Sequence, residues 1–558
     1  MIDLLCRWHL RSRAPRRLGN AERSAPRRGL ATLALLTLLL GLAAPVALAA
    51  PGPTSGDAPA SAVGAPASAA PAPDEPSAAA PPRSAAAPAP AKKLKSASIT
   101  GEILPILILV LVIIFVVSRL PKVELGHTPA FRRRRLLNWL PLGLTYAFLY
   151  MGRYNLAVLK TGGGISQADF GNVDAIGSIV YGVSFLLNGP LADRLGGRAT
   201  ILIAAAGALV ANAAIGLLMA TGNMGDSPVT VLTLLFSANM YFQSFGAVSI
   251  VKVNSAWFHL RERGVFGGIF GILISLGLYF AFDWGARIYS MAPAQWLFFT
   301  PAMILALFWV LSFLFVRDRP SEAGFADFDP GDASSGDNGP AQSAWSVIKR
   351  MLTHKIILTI AFIELCSGFL RQGILKWYRD FAAGIGAGDS FVSNHWGMVS
   401  CIAGITGGIF AGMISDHLFQ SRRGPVSAVL YGLMVGGALL IIPMLAFPGA
   451  VSWIIAVMAM AIIGVHGMLS GVASQDFGGR RHAGTATGLI DGFVYLGTAL
   501  QSFTYGRLLP AKGSAAAKDP GEWLAWPGAM LPVAVLGMYL AMRIWNAHAT
   551  KQPPSKPS

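Results

Sequence analysis

The sequence predicts an all-α membrane protein, twelve spanning helices arranged as two six-helix halves, and three observations predict it. The chain has 558 residues, 54% of them hydrophobic and only 13% charged, whereas soluble proteins carry about 25% charged residues. The basic residues behind its net charge of +17 lie in short segments between apolar runs. That is the positive-inside pattern of a polytopic membrane protein, and it sets nucleic acid aside as a partner. Finally, Arg153 and Arg371, Asp193 and Asp416, and Gly264 and Gly484 lie 218, 223 and 220 residues apart. A near-constant offset marks an internal repeat, the two-halved build of many secondary transporters.

The chain opens with an arginine-rich stretch and an apolar run from Leu30 that ends in Ala47-Leu48-Ala49. Residues 1–49 therefore read as a secretory signal peptide, or as an uncleaved signal anchor. Residues 50–97 are rich in Ala, Pro and Ser and lack the large apolar residues a core needs, so a disordered tether outside the cytoplasm is expected. An extra transmembrane helix over 98–121 follows and brings the chain into the cytoplasm, where a basic cytoplasmic linker over 122–135 carries Arg132 to Arg135.

The N-terminal half, 136–316, holds apolar spans at about 136–158, 171–192, 199–221, 228–256, 264–288 and 294–316. A polar central cytoplasmic loop, 317–354, separates it from the C-terminal half, 355–546. That half has spans at about 355–382, 391–415, 425–447, 451–475, 483–508 and 523–545, and a cytoplasmic tail, 547–558, closes the chain. The three cysteines, Cys6, Cys366 and Cys401, form no disulfide framework or metal-spaced cluster. No metal or cofactor is expected, an intramembrane enzyme is not indicated, and the expected setting is a monomer in the bacterial inner (plasma) membrane.

Polar residues inside the spans carry the functional argument. Arg153 lies about 27 Å along a helix counted from the basic run, at 1.5 Å per residue, well inside a hydrocarbon layer about 30 Å thick. An arginine there survives when it faces a bundle interior or a watery cavity. Tyr146 and Tyr150 precede it on the same helix face. Arg371 sits at a matching depth in the first span of the second half, so the pair suggests a cavity that receives an anion. Glu364, seven residues before Arg371, is a candidate proton carrier or a structural ion pair for it. Asp491 and His466 are further candidates for coupling or for the cavity wall. Asp283 and Arg287, spaced i, i+4, read as a structural pair, and Gly404, Gly408 and Gly412 read as helix-packing glycines.

Gly189 to Arg198, GPLADRLGGR, closes the second span, and GMISDHLFQSRRG, with Asp416, closes the eighth. The motif and its degenerate copy resemble the loop signature of the major facilitator superfamily across the twelve-span region. Gly189 permits close helix approach, Gly196-Gly197 a tight turn, and Asp193, Arg194 and Arg198 are expected to form a charge network that gates the cytoplasmic side. Arg153 after its tyrosines, and Arg371 in FLRQGILKW, resemble the paired arginines of the organophosphate:phosphate antiporters, which include the glycerol-3-phosphate and hexose-phosphate transporters. The resemblance implies that Arg153 and Arg371, with Tyr146 and Tyr150, bind a phosphoryl group, and guanidinium forks suit phosphate oxygens. The chain departs from that family at Phe185, where a cavity lysine is usual, and at Gly246-Ala247-Val248, where Gly-Trp-Pro is usual.

The leading expectation is a secondary transporter working by alternating access, exchanging an organic phosphate for inorganic phosphate. A proton-coupled carrier of a carboxylate or other small metabolite, driven through Glu364 or Asp491, is the second reading. A transporter-like sensor is the third.

Overall fold

The computed structural model describes residues 99–119, 125–259, 262–328, 344–419, 422–470 and 474–546. The expected signal segment (1–49), tether (50–97) and tail (547–558) lie outside them. Helix α1 (Ile99–Arg119) precedes the two halves. The first half comprises α2 (Pro129–Gly162), α3 (Gln167–Leu195), α4 (Gly197–Thr221) and α5 (Pro228–Trp257). It is completed by α6 (Arg263–Tyr279, continued through a π-helical turn and Gly285–Met291) and α7 (Trp296–Phe315). The segment expected to be only a polar loop contains a further helix, α8 (Ala344–Thr353). Its Met351 packs with Ile357, Ala486 and Leu489, so burial of one apolar face stabilises it. The second half comprises α9 (Lys355–Leu375), α10 (Trp396–Leu418), α11 (Arg423–Met444), α12 (Pro448–Met468), α13 (Ser474–Leu508) and α14 (Ala525–Arg543).

Among the described residues, ten helices are long and apolar enough to cross a membrane. Within the twelve, α2 and α13 fall outside that set because polar residues dilute their apolar character. Those residues, Arg153, Asn155 and Lys160 on α2 and Asp491, Thr498, Gln501 and Ser502 on α13, are buried. In a bilayer such residues are tolerated when they face the protein interior. The two helices with the weakest membrane signal thus both carry buried polar residues into the interior.

Local chemistry explains where α2 starts and how it is anchored. Thr128 caps it by accepting from the Phe131 N–H at 3.2 Å, Pro129 occupies the first turn where no N–H is needed, and Gly163 ends it at φ 91°. The Arg135 guanidinium donates to both Glu262 oxygens at 2.9 and 3.0 Å, fixing this basic end of α2 to the start of α6. A bidentate pair of this kind is geometrically specific.

The halves meet along two seams, α3 against α13 and α6 against α10. Glycines set the first seam: a Cβ added at Gly182 would stand 2.8 Å from the Gly492 carbonyl oxygen, and one at Gly171 2.8 Å from the Gly506 Cα. Side chains at these positions would hold the halves apart. In the second seam Asp283, carried by the π-helical turn, accepts from the N–H groups of Gly397 and Met398 at 2.6 and 2.9 Å. Its role is therefore to bond the first turn of α10 across the halves, not the i, i+4 pairing expected from spacing. Gly404 approaches Ser275 there, whereas among the described residues nothing lies within 4 Å of a Cβ at Gly408 or Gly412. Helix α1 rests on α6 and α10, one helix from each half. It buries Leu109 and Ile113 and leaves Leu107, Leu111 and Phe115 exposed.

Candidate functional site

Arg153 lies at the centre of a polar cage assembled from both halves. Its Nε donates to Gln243 Oε1 at 3.1 Å, one terminal nitrogen to the Tyr495 hydroxyl at 2.5 Å and the other to the Tyr181 hydroxyl at 2.8 Å. The guanidinium also faces the rings of Tyr150 (4.6 Å) and Tyr146 (5.9 Å), which supply cation–π stabilisation to a desolvated charge. The cage is held from behind by amides. Gln243 donates to Asn239, Asn239 to the Gly152 carbonyl, Asn212 to Asn239, and Asn155 to Asn212, all at 2.8–3.0 Å. Partners for every group in such a network favour one arrangement of the core.

Arg371 differs. It is 6% exposed, its Nε is buried without a hydrogen-bond partner, and no described residue accepts a hydrogen bond from it. Tyr150 and Tyr495 lie within the electrostatic reach of both arginines. Beside Arg371, Gln372 donates to the Tyr154 hydroxyl at 2.9 Å, which ties α9 to α2. One buried guanidinium is therefore satisfied by neutral oxygens, and its counterpart keeps open donors. An oxyanion would complete the second and compete for the first.

Glu364 does not form the ion pair with Arg371 that was one expected role. Its Oε2 is hydrogen-bonded to His466 Nδ1 at 2.8 Å, and its Oε1 is buried without a partner. Asp491 accepts from the Ser470 hydroxyl.

The two ends of the interior are both closed by bonds between halves. At the basic end Asp193 accepts from the Thr485 N–H at 3.0 Å, the Thr485 hydroxyl at 2.9 Å and Lys252 at 3.0 Å. The expected network with Arg194 and Arg198 is different here. Arg194 is exposed, and Arg198 donates to the Phe313 carbonyl while its N–H bonds Asp318 at 2.8 Å. Lys252, one turn from the end of α5, bonds Asp193 instead. Gly196 takes φ 84°, a left-handed conformation that favours glycine, and Gly189 lies against Gly488. The Asp416 side chain lies outside the described residues.

At the opposite end two ion pairs cross between the halves. Lys160 meets Asp380 at 2.8 Å with both side chains almost fully buried, and Lys376 meets Asp174 at 2.6 Å. Ser502 also donates to Asp174 at 2.5 Å, and Lys160 to the Lys376 carbonyl at 2.9 Å. The Lys160 ammonium lies 3.5 Å from the centre of the Trp377 ring. Sequence reasoning missed these four residues, together with Tyr181 and Tyr495. The available signal was charge or hydroxyl within an apolar span, but the partners are as much as 342 positions apart.

Asp193→Asn is expected to weaken closure of the basic end, since hydrogen bonds to a charged group are worth about 1.5–3 kcal/mol. Electron–electron distance measurements between spin labels at the exposed Leu195 and Leu418 should show a longer population. An unchanged distribution would mean that this contact does not set closure.

Residues 142–502 match the family model described as Major Facilitator Superfamily. The chain is similar to the glycerol-3-phosphate transporter of Bacillus subtilis (strain 168), 28% identical over 66% of this chain and 84% of that protein. It is also similar to the membrane sensor protein UhpC of Salmonella typhimurium, 26% identical over 77% of this chain and 96% of that one. In fold it resembles a bacterial homologue of the human lysosomal transporter Spinster, in an inward-facing, unoccupied conformation. There the TM-score is 0.57 at 13% identity, over 75% of this chain and 98% of that one.

Proposed function

Because the chain belongs to the major facilitator superfamily, we propose that it is a secondary transporter of a small phosphorylated anion, exchanging organic phosphate for inorganic phosphate. It is a multi-pass inner-membrane protein, and the positive-inside rule would put its basic end in the cytoplasm. The observation that carries the reading is Arg371, a buried guanidinium with open donors in the same interior as the tyrosine-caged Arg153. Phosphate oxygens match such forked donors, and the similarity to a glycerol-3-phosphate transporter supports the same substrate class. Arg153 and Arg371 hold the phosphoryl group, Tyr146 and Tyr150 line it, and Tyr495 yields its bond to Arg153 when the anion arrives. The contacts of Asp193 at one end, and of the Lys160 and Lys376 pairs at the other, break in alternation.

Counterflow in proteoliposomes tests this. Internal phosphate should accelerate uptake of labelled phosphate or glycerol 3-phosphate, and competition should be mutual. Absence of counterflow under conditions where purified protein still binds phosphate would favour a sensing role, the function named for one of its relatives. Absence of both binding and counterflow would reject the anion reading.

A further inference from the structure

We propose that anion binding at Arg371 is linked to uptake of one proton by Glu364, through a dyad with His466 that opens to the interior. The inference rests on the anion-binding reading above and adds the charge that accompanies the substrate. Between its two ends the interior holds, among the described residues, two buried arginines, Arg153 and Arg371, and two buried acidic residues, Glu364 and Asp491. A phosphate monoester adds one or two negative charges to this balanced set, in a medium where unbalanced charge is costly.

Glu364 is placed to absorb that change. It lies two turns before Arg371 on α9, about 10 Å along the axis at 1.5 Å per residue. At that separation it feels the guanidinium's field without being bonded to it. While Arg371 is empty, its positive charge favours the carboxylate form; an anion on Arg371 cancels that field, and the proton affinity of Glu364 rises. The Glu364 side chain is 0% exposed whereas that of His466 is 19% exposed. His466 is also within electrostatic reach of Arg371 and Asp491, so it is the more exposed member of the pair beside the interior charges.

The other groups around Glu364 do not replace it. Helix α11 presents Tyr431, whose hydroxyl donates to the Ile363 carbonyl at 2.6 Å. Cys366 and Ser367 belong to α9 itself, and α13 presents Asp491, bonded by Ser470, and Tyr495, bonded to Arg153. From α2, Tyr146 is within electrostatic reach of Asp491. The titratable residues that α8 and α14 contribute, Lys349, Arg350, Tyr539 and Arg543, are exposed. A cationic group on the substrate would be the alternative source of compensating charge. It would have to reach Glu364 directly, and the Glu364 side chain is 0% exposed.

The test is calorimetry of inorganic phosphate binding to the full-length protein in buffers of different ionisation enthalpy, at several pH values. Wild type should take up about one proton more per bound phosphate than Glu364→Gln. Its affinity should fall as pH rises, with a slope of log Kd against pH steeper by about one unit than that of the variant. Glu364→Gln, a mimic of the protonated form, should bind phosphate more tightly than wild type at high pH. Equal proton uptake in both proteins would place the proton on the phosphate itself and overturn the inference while leaving anion binding intact. No phosphate binding by wild type would reject the underlying reading, and the inference with it. Infrared difference spectra of the wild type give an answer that does not depend on the variant folding. A protonated-carboxyl band should appear when phosphate binds, and its absence would also overturn the proposal.

Discussion

Arg371→Lys is expected to lower phosphate affinity by tenfold or more, and by more than Arg153→Lys does. Arg371 has no hydrogen-bond acceptor among the described residues, so its donors are the ones free to bind an arriving anion. Each charge-assisted bond to the anion is worth about 1.5–3 kcal/mol, and about 1.4 kcal/mol is a factor of ten in Kd. Lysine keeps the positive charge but presents a single point in place of a planar fork. Arg153 starts from a different position. Three of its donors are already held by Gln243, Tyr181 and Tyr495, so an anion gains there only the difference between phosphate and phenol. Arg153→Lys should accordingly cost less affinity but loosen the cage, visible as a lower thermal midpoint in the absence of phosphate. Equilibrium binding to purified protein is the measurement, because transport rates mix affinity with conformational steps. Full affinity in both lysine variants would disprove the role given to the arginines.

Asp174→Asn is expected to open the end of the molecule opposite the basic loops. Lys376 is buried, and its ammonium bonds Asp174 at 2.6 Å. Removing one partner of a buried pair costs about 3–5 kcal/mol, since the remaining charge is left without compensation. Because the pair joins the two halves, the protein can escape that cost by separating them and hydrating Lys376, so the penalty falls on closure more than on folding. Even half of it would shift the closed-to-open ratio by more than tenfold. Spin labels at the exposed Met291 and Phe447 should report a population at longer distance. Asp174→Leu combined with Lys376→Met removes both charges and should bring the closed distance back, as apolar replacement of a buried pair is often neutral or stabilising. If the single variant closes as fully as wild type, the crossed pairs are not what holds this end.

What could be read from one chain was what depends on neighbours along it. Arg153 and Arg371 were placed inside the interior because depth in a helix follows from residue count and the hydropathy around them. Tyr146 and Tyr150 followed from helical periodicity, and the two-halved fold from the repeat of Asp193 and Gly264 in Asp416 and Gly484. Partnership across the halves was another matter. Glu364 shares a helix face with Arg371, so periodicity suggested a pair. Two turns of separation leave that pair too far apart to bond, and His466, brought in by α12, comes within 2.8 Å. The α5 lysine Lys252 likewise bonds Asp193, whereas Arg194, its neighbour along the chain, is exposed. Lys160 and Asp380, or Arg153 and Tyr495, meet only because α2, α9 and α13 converge at the seam between halves. Hydropathy and period act over one or two turns, so the sequence alone determined which side chains face inward. Which of them meet was decided by how the halves pack, where glycine contacts such as Gly182 with Gly492 bring the backbones close enough for polar groups to bond.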